Sequence, residues 1–94
     1  MIIVRNTFTA KPGQAGQLAK RLKEMAEAGG LQNARVLTDL VGSFNTVVLE
    51  HEVESAGAFE ENLARYSADA ALREKAAAYL DLWITGKREL LRVV

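Results

Sequence analysis

The sequence contains no cysteine, one proline and one histidine in its 94 residues. Without cysteine the chain can form no disulfide, no thiolate nucleophile and no iron–sulfur or zinc-ribbon site. Residues 1–5 do not show the pattern of a signal peptide, so we expect none, and no apolar run approaches the roughly 18 residues that a membrane span needs. We therefore expect a cytoplasmic protein with no membrane partner.

The chain also lacks a net charge. Its 12 Lys and Arg residues balance its 12 Asp and Glu residues, so the strong positive field typical of nucleic-acid-binding proteins is missing. We expect no nucleic-acid partner. The length, with 49% hydrophobic residues, predicts a single domain over residues 1–94, and so small a domain gains stability by associating with another copy. The composition favours a homodimer.

Hydrophobic periodicity predicts four strands and two helical regions. Strand one covers residues 2–9 and ends at a Lys-Pro-Gly turn, and an amphipathic helix covers residues 14–28 and stops at two glycines. Residues 33–42 and 45–53 are predicted as two strands joined by a hairpin turn. A long or bent second helix begins after Ser55, breaks near Asp69 and ends at Gly86, and strand four covers residues 87–94.

The order β-α-β-β-α-β predicts an α+β, ferredoxin-like fold. Right-handed crossovers give it an antiparallel four-stranded sheet of order 4-1-3-2, with both helices on one face. The opposite face would carry Ile3 and Val48, so we expect a second copy to cover it. Alternation also places Arg5, Glu50 and Glu52 on that face, where we expect charged pairs in or near the subunit interface.

The helix-covered face of strands one and three is mostly apolar, yet it includes Asn6 and His51. His51 is the only imidazole, and its ordinary pKa near 6.5 makes it the first candidate for an acid or base; the alternative is a hydrogen-bonded core histidine. Asn6 either satisfies structural hydrogen bonds or polarises a ligand. The Glu50-His51-Glu52 triplet predicts no metal site, because a strand points the carboxylates and the imidazole to opposite faces.

Three aromatic residues with polar tips lie on the predicted inner side of the second helical region: Tyr66, Tyr79 and Trp83. Such a stripe is typical of a core, but it would also suit a small organic ligand. No phosphate-binding loop and no Ser–His–acid combination is present.

Several segments resemble the NIPSNAP-like and antibiotic-monooxygenase-like members of the dimeric α/β-barrel superfamily. They are IVRNTFTAKPG at 3–13, FNTVVLEHEVES at 44–55 with Phe59 in the next helix, and the break at Asp69. The resemblance covers nearly the whole chain. It implies two ferredoxin-like subunits whose sheets join into a barrel, with a pocket between each sheet and its helices.

The same resemblance implies a range of activities: cofactor-independent oxygenation of aromatic substrates, haem degradation, isomerisation and small-molecule binding. Asn6 resembles the strand-one asparagine of haem-degrading members. Those members also use a histidine on helix two, where this chain has Asn62 and Lys75 instead. We therefore predict no cofactor, and the resemblance predicts the fold better than the activity.

Two hypotheses about function remain. The first is a homodimer that binds a small aromatic or apolar organic molecule in the sheet–helix pocket, as a monooxygenase-like or isomerase-like enzyme. Its expected catalytic residues are His51 and Asn6, and its expected ligand-binding residues are Tyr66, Tyr79, Trp83 and Asn62. The second is a non-catalytic structural or accessory dimer. A cavity of about 300 Å³ or more reached by both candidate catalytic residues favours the first, and a filled space favours the second.

Overall fold

A computed structural model describes residues 1–94. The elements in chain order are β1 (Ile2–Ala10), α1 (Ala15–Gly29), β2 (Gln32–Thr38), β3 (Thr46–Val53), α2 (Ala56–Ala68), α3 (Ala70–Ala77), a 3₁₀ turn (Leu80–Leu82) and β4 (Trp83–Arg92). None of the helices combines the length and the apolar character that a membrane crossing requires.

The strands form one antiparallel sheet in the order β2-β3-β1-β4, which confirms the predicted topology. The central strand β1 pairs with β3 on one side and with β4 on the other. Asn6 therefore lies opposite Leu49 of β3 and opposite Arg88 of β4. This register decides which side chains meet at the candidate site.

The core lies between one face of the sheet and the helices. Val4 and Val47 on the strands and Leu18 on α1 are fully buried, and Leu22 on α1 is almost fully buried. The predicted division of β1 and β3 into two faces agrees with the burial pattern, because most helix-covered positions are buried and, of the outer-face positions, only Glu50 is buried. Asn6 and His51 belong to that buried set, with 8% and 6% of their surface exposed.

Side-chain caps and one left-handed residue define the helix ends. Gly30, at φ 65°, ends α1, as the glycine pair predicts. Ser55 Oγ accepts a hydrogen bond from the Ala58 N–H at 3.1 Å and begins α2. Asp69 has an extended backbone, and its carboxylate accepts from two N–H groups of α3. The predicted second helix is therefore two helices that meet at Asp69.

The predicted end of that helical region is wrong. The helix ends at Ala77 and β4 begins at Trp83, so Trp83 and Gly86 are strand residues. Gly86 lies opposite Phe8, and a Cβ on Gly86 would stand 3.0 Å from the Phe8 ring. Gly86 therefore leaves space for the Phe8 ring on the sheet, whereas the sequence predicted that it ends a helix.

The predicted extent of β2 is also wrong, because the strand ends at Thr38 and not at residue 42. A loop over residues 39–45 follows. The Asp39 carboxylate closes it by accepting a hydrogen bond of 2.9 Å from the Thr46 N–H, which competes with continued strand pairing.

The other face of the sheet has no helix over it. We call this the outer face, and it carries the second set of alternating positions. Its larger apolar residues include Leu37 and Leu91, which are 41% and 37% exposed. Arg5 and Glu50 form the predicted pair on this face, with 2.6 Å between Arg5 Nε and a carboxylate oxygen.

Candidate functional site

A cavity of about 200 Å³ lies between the sheet and the helices. Most of its wall is apolar or aromatic, and four polar side chains interrupt that wall. The apolar and aromatic lining residues are Phe8, Leu22, Met25, Leu31, Leu49, Phe59, Leu63, Tyr66, Ala76 and Tyr79. The polar ones are Asn6, His51, Asn62 and Arg88. An apolar cavity with a few convergent polar groups is the usual form of a small-molecule site.

Asn6 and Arg88 form the polar floor of the cavity. They are cross-strand neighbours on β1 and β4, and Arg88 Nε donates a hydrogen bond of 2.7 Å to Asn6 Oδ1. The Arg88 guanidinium also lies over the ring of Phe59, 5.3 Å from its centroid. These two contacts fix the guanidinium from the sheet below and from α2 above.

His51 lies beside this pair on β3. It is paired with Val4, so it is the diagonal neighbour of Asn6 on the same face. Its Nδ1 atom is buried and has no hydrogen-bond partner. Burial lowers the pKa of His51, and the positive charge of Arg88 lowers it further, although the Glu52 backbone partly opposes both. The imidazole is therefore neutral at pH 7.

α2 supplies the opposite wall with Asn62 and Tyr66. The Tyr66 hydroxyl donates a hydrogen bond of 3.4 Å to the Met25 carbonyl of α1. This approach requires Gly29, since a Cβ there would lie 1.6 Å from the hydroxyl oxygen. Burial raises the pKa of Tyr66, so its hydroxyl stays protonated.

The other predicted aromatic residues divide between the cavity and the core. Tyr79 lines the cavity and meets the Phe8 ring edge-on at 5.8 Å. Trp83 does not line the cavity; it packs against Phe8, with 5.3 Å between the ring centroids, from the first position of β4. Five of the six predicted site residues therefore share one cavity, and Trp83 supports it from behind.

The sequence reasoning missed Arg88. In the sequence, Arg88 is a charged residue in the last strand, and a charged residue in a strand is typically interpreted as a solvent-facing side chain. Only the register of β4 against β1 places it beside Asn6 on the helix-covered face. A sequence gives alternation within a strand but not the pairing between distant strands.

The volume of the cavity and the residues that line it favour different hypotheses about function. Asn6 and His51 both line the cavity, but 200 Å³ is below 300 Å³. A cavity of about 150 Å³ already holds benzene in a protein core. The space is therefore large enough for a molecule with a single aromatic ring.

No protein-family model matches the chain, and no curated protein matches it significantly. Solved structures do match. A NIPSNAP-family protein of Agrobacterium tumefaciens superimposes with a TM-score of 0.86 at 14% identity, over 99% of this chain and 92% of its own. This chain shares the ferredoxin-like fold of that protein.

Two further structures carry the same likeness. A NIPSNAP domain protein of Burkholderia xenovorans has a TM-score of 0.84 at 16% identity, covering 100% of this chain and 95% of its own. SnoaB of Streptomyces nogalater, a cofactor-independent oxygenase, has a TM-score of 0.76 at 18% identity, covering 99% and 92%. The predicted resemblance to NIPSNAP and monooxygenase-like proteins is thus confirmed as a likeness of fold.

Proposed function

We propose that this protein is a homodimeric α/β-barrel enzyme that binds a small, single-ring organic anion between its sheet and helices. We further propose that it removes a proton from that ligand without a cofactor. One observation carries the proposal: the Arg88–Asn6 pair and the unpartnered His51 converge on one apolar cavity.

The charge of the lining supports an anionic ligand. Arg88 is among the lining residues, and no Asp or Glu lines the cavity with it. A guanidinium at an apolar wall favours a ligand oxygen that carries negative charge. The apolar walls and the aromatic rings of Phe59 and Tyr79 favour a flat ring.

The chemistry that fits these groups is proton transfer. The neutral imidazole of His51 accepts a proton from an acidic C–H or O–H of the ligand, so an N–H bond forms as the ligand bond breaks. The electron pair moves onto a ligand oxygen, where Arg88 stabilises the charge and Asn6 holds Arg88 in place. In an isomerase-like reaction His51 returns the proton to another ligand atom. In a monooxygenase-like reaction the carbanion reacts with molecular oxygen as the second substrate: a C–O bond forms, His51 returns its proton to the peroxide, and the O–O bond then breaks to leave one oxygen atom on the ligand as a carbonyl and release the other as water.

The homodimer is supported by the outer face. Leu37 and Leu91 are partly exposed there beside the charged pair of Arg5 and Glu50. A second sheet packed on this face would bury these residues and leave the cavity, which lies on the other side of the sheet, free for ligand.

The small volume of the cavity favours a second candidate function. In this candidate the protein is a non-catalytic accessory dimer, and Asn6 only holds Arg88.

The experiment that tests both candidates measures ligand binding separately from proton transfer. Thermal shifts with benzoate, its neutral analogue benzamide and an anthracene carboxylate measure charge and size selectivity. We expect benzoate to raise Tm most and the fused-ring acid to have no effect.

Variants at matched positions make this test specific. Arg88→Met should remove the preference for benzoate over benzamide, whereas Arg92→Met, on the same strand but outside the cavity, should keep it. If none of the three compounds binds, the ligand proposal fails.

Proton abstraction is measured with phenylpyruvate, a single-ring carbon acid, by NMR of deuterium exchange at its methylene group. We expect the wild type to exceed the solution rate and His51→Gln to fall to it. Binding of phenylpyruvate without exchange would count against proton abstraction and favour the non-catalytic candidate.

A further inference from the structure

Four charged residues of alternating sign cross the outer face of the sheet from edge to edge. Arg35 of β2 lies opposite Glu50 of β3, Glu50 lies opposite Arg5 of β1, and Arg5 lies opposite Glu89 of β4. Residues directly opposite one another in an antiparallel sheet point to the same face. We call these four residues the charge row. It reads positive, negative, positive, negative.

The two middle residues of the row are paired within the chain, whereas the two end residues are paired on one side only and stay accessible to solvent. Glu50 is 5% exposed and accepts hydrogen bonds from Arg5 Nε at 2.6 Å and from Arg35 Nη2 at 2.8 Å. The Arg35 side chain remains 68% exposed. Glu89 makes no hydrogen bond, and its ion pair with Lys87 spans 3.8 Å. Each end of the row therefore has charge available for an external partner.

We propose that the charge row sets the register of the homodimer, with a second copy of this chain as the occupant of the outer face. This inference rests on the homodimer of the proposed function. The row reads positive, negative, positive, negative from β2 to β4. A second copy of the row running in the opposite direction therefore places a negative charge over each positive one and a positive charge over each negative one. A two-fold axis parallel to the strands produces that reversal, because it places β2 over the partner's β4 and β3 over its β1.

In this arrangement every member of the row faces its opposite charge. Arg35 lies over Glu89 of the partner subunit, Glu50 lies over Arg5 of the partner subunit, and each contact occurs twice by symmetry. An axis perpendicular to the strands within the interface would instead place each residue over its own copy. The charge row thus selects one of the two symmetric ways to stack the sheets.

The apolar residues beside the row would be covered in this arrangement. Ile3, Leu37, Val48 and Leu91 share the outer face with it, by the same register. Their burial against a second sheet would supply association energy, while the charges supply orientation. The row thus accounts for a strongly charged strip in the middle of a partly apolar face.

The test uses two charge reversals at the ends of the row, Arg35→Glu and Glu89→Arg. Each variant alone faces like charges twice in its own homodimer. A mixture of the two variants, however, restores both opposite-charge contacts in the heterodimer. We expect each variant homodimer to dissociate roughly tenfold more readily than the wild type, and the mixture to form heterodimers well above the statistical half. Native mass spectrometry measures the three dimer populations.

Arg21→Glu is the matched control, because it makes the same charge change on α1, in the helix layer. Mixed with Glu89→Arg it should give no excess of heterodimer. Circular dichroism and thermal unfolding of each variant show that the fold is kept. Arg35→Glu also loses the hydrogen bonds to Glu50 within its own chain. This loss occurs in every variant chain, whether it pairs with itself or with Glu89→Arg, so it does not change the preference for the heterodimer.

The outcomes separate this inference from the homodimer itself. If the wild type is monomeric at micromolar concentration, both the homodimer and the row's role are overturned. If the wild type is a dimer but the charge-reversed pair mixes statistically, the homodimer stands and the register proposal is wrong. A dimer in which Arg35→Glu alone pairs as tightly as the wild type overturns it as well.

Discussion

Arg88 donates a hydrogen bond of 2.7 Å from Nε to Oδ1 of Asn6, across β4 and β1. The two residues are 82 positions apart in the sequence and are brought together by the strand register. The contact places a guanidinium at the floor of a mostly apolar cavity, beside the neutral imidazole of His51. The polar chemistry of the candidate site depends on this pair.

Asn6→Ala should loosen the Arg88 guanidinium and weaken benzoate binding by roughly 10- to 100-fold, since a charge-assisted hydrogen bond contributes about 1.5–3 kcal/mol. Isothermal titration calorimetry measures this loss. Asn62→Ala is the control, because Asn62 lines the cavity without bonding to Arg88. Equal losses for benzoate and benzamide would show that Asn6 does not act through the charge of Arg88.

His51→Gln should flatten the pH dependence of stability. The pKa of His51 is lowered in the fold from its ordinary value of 6.5, so the unfolded chain takes up the proton first as the pH falls. The stability is therefore complete above pH 6.5 and is lost as the pH falls through the lowered pKa of the folded state. Urea unfolding from about pH 8 to about pH 5 should show a steeper loss in the wild type than in His51→Gln. Parallel curves would contradict this.

Glu50→Gln should destabilise the fold by roughly 1–2 kcal/mol, because it removes the charge that holds two partly exposed arginines. The two arginines lower the pKa of Glu50 from its ordinary value of 4.5, first through the hydrogen bond from Arg35 and then through that from Arg5. This stability is present above the ordinary pKa and is lost as the pH falls through the lowered one. The difference between the two proteins should therefore shrink in acid. A constant difference would show that ionisation of Glu50 is not its cause.

Gly29→Ala should cost about 1–3 kcal/mol, because its methyl group would occupy the position of the Tyr66 hydroxyl. Chemical denaturation measures the cost. It should be much smaller in a Tyr66→Ala background, which frees the space. Gly16→Ala on the same helix meets no atom within 4 Å and should be neutral or slightly stabilising. Additive costs of Gly29→Ala and Tyr66→Ala would mean that the two residues do not compete for space.

The strand alternation of β1 and β3 was readable from the sequence because a strand residue's face depends only on its parity. That parity placed Asn6 and His51 inward and Arg5 and Glu50 outward. The helix boundaries were readable where a cap fixed them, at Gly30, Ser55 and Asp69. Local signals of this kind need no knowledge of the rest of the chain.

The start of β4 was predicted wrongly because it depends on contacts with a residue that is distant in the sequence. Gly86 is a common helix-ending residue, and nothing near it in the sequence reveals that Phe8 packs against it. Trp83 fits a helical spacing equally well until its contact with Phe8 is known. A residue whose conformation is decided by a partner 75 or more positions away cannot be assigned from its neighbours.

The sequence by itself determined the order of the strands and the inward position of Asn6 and His51, because these follow from local periodicity and capping, and the sheet topology then followed from the handedness of the crossover connections. Only the tertiary structure decided that Arg88 joins them, that Trp83 stands behind the cavity, and that Arg35, Glu50, Arg5 and Glu89 align in one row. Each of these depends on the register between strands distant in the chain, which is set by packing of the whole sheet against its helices.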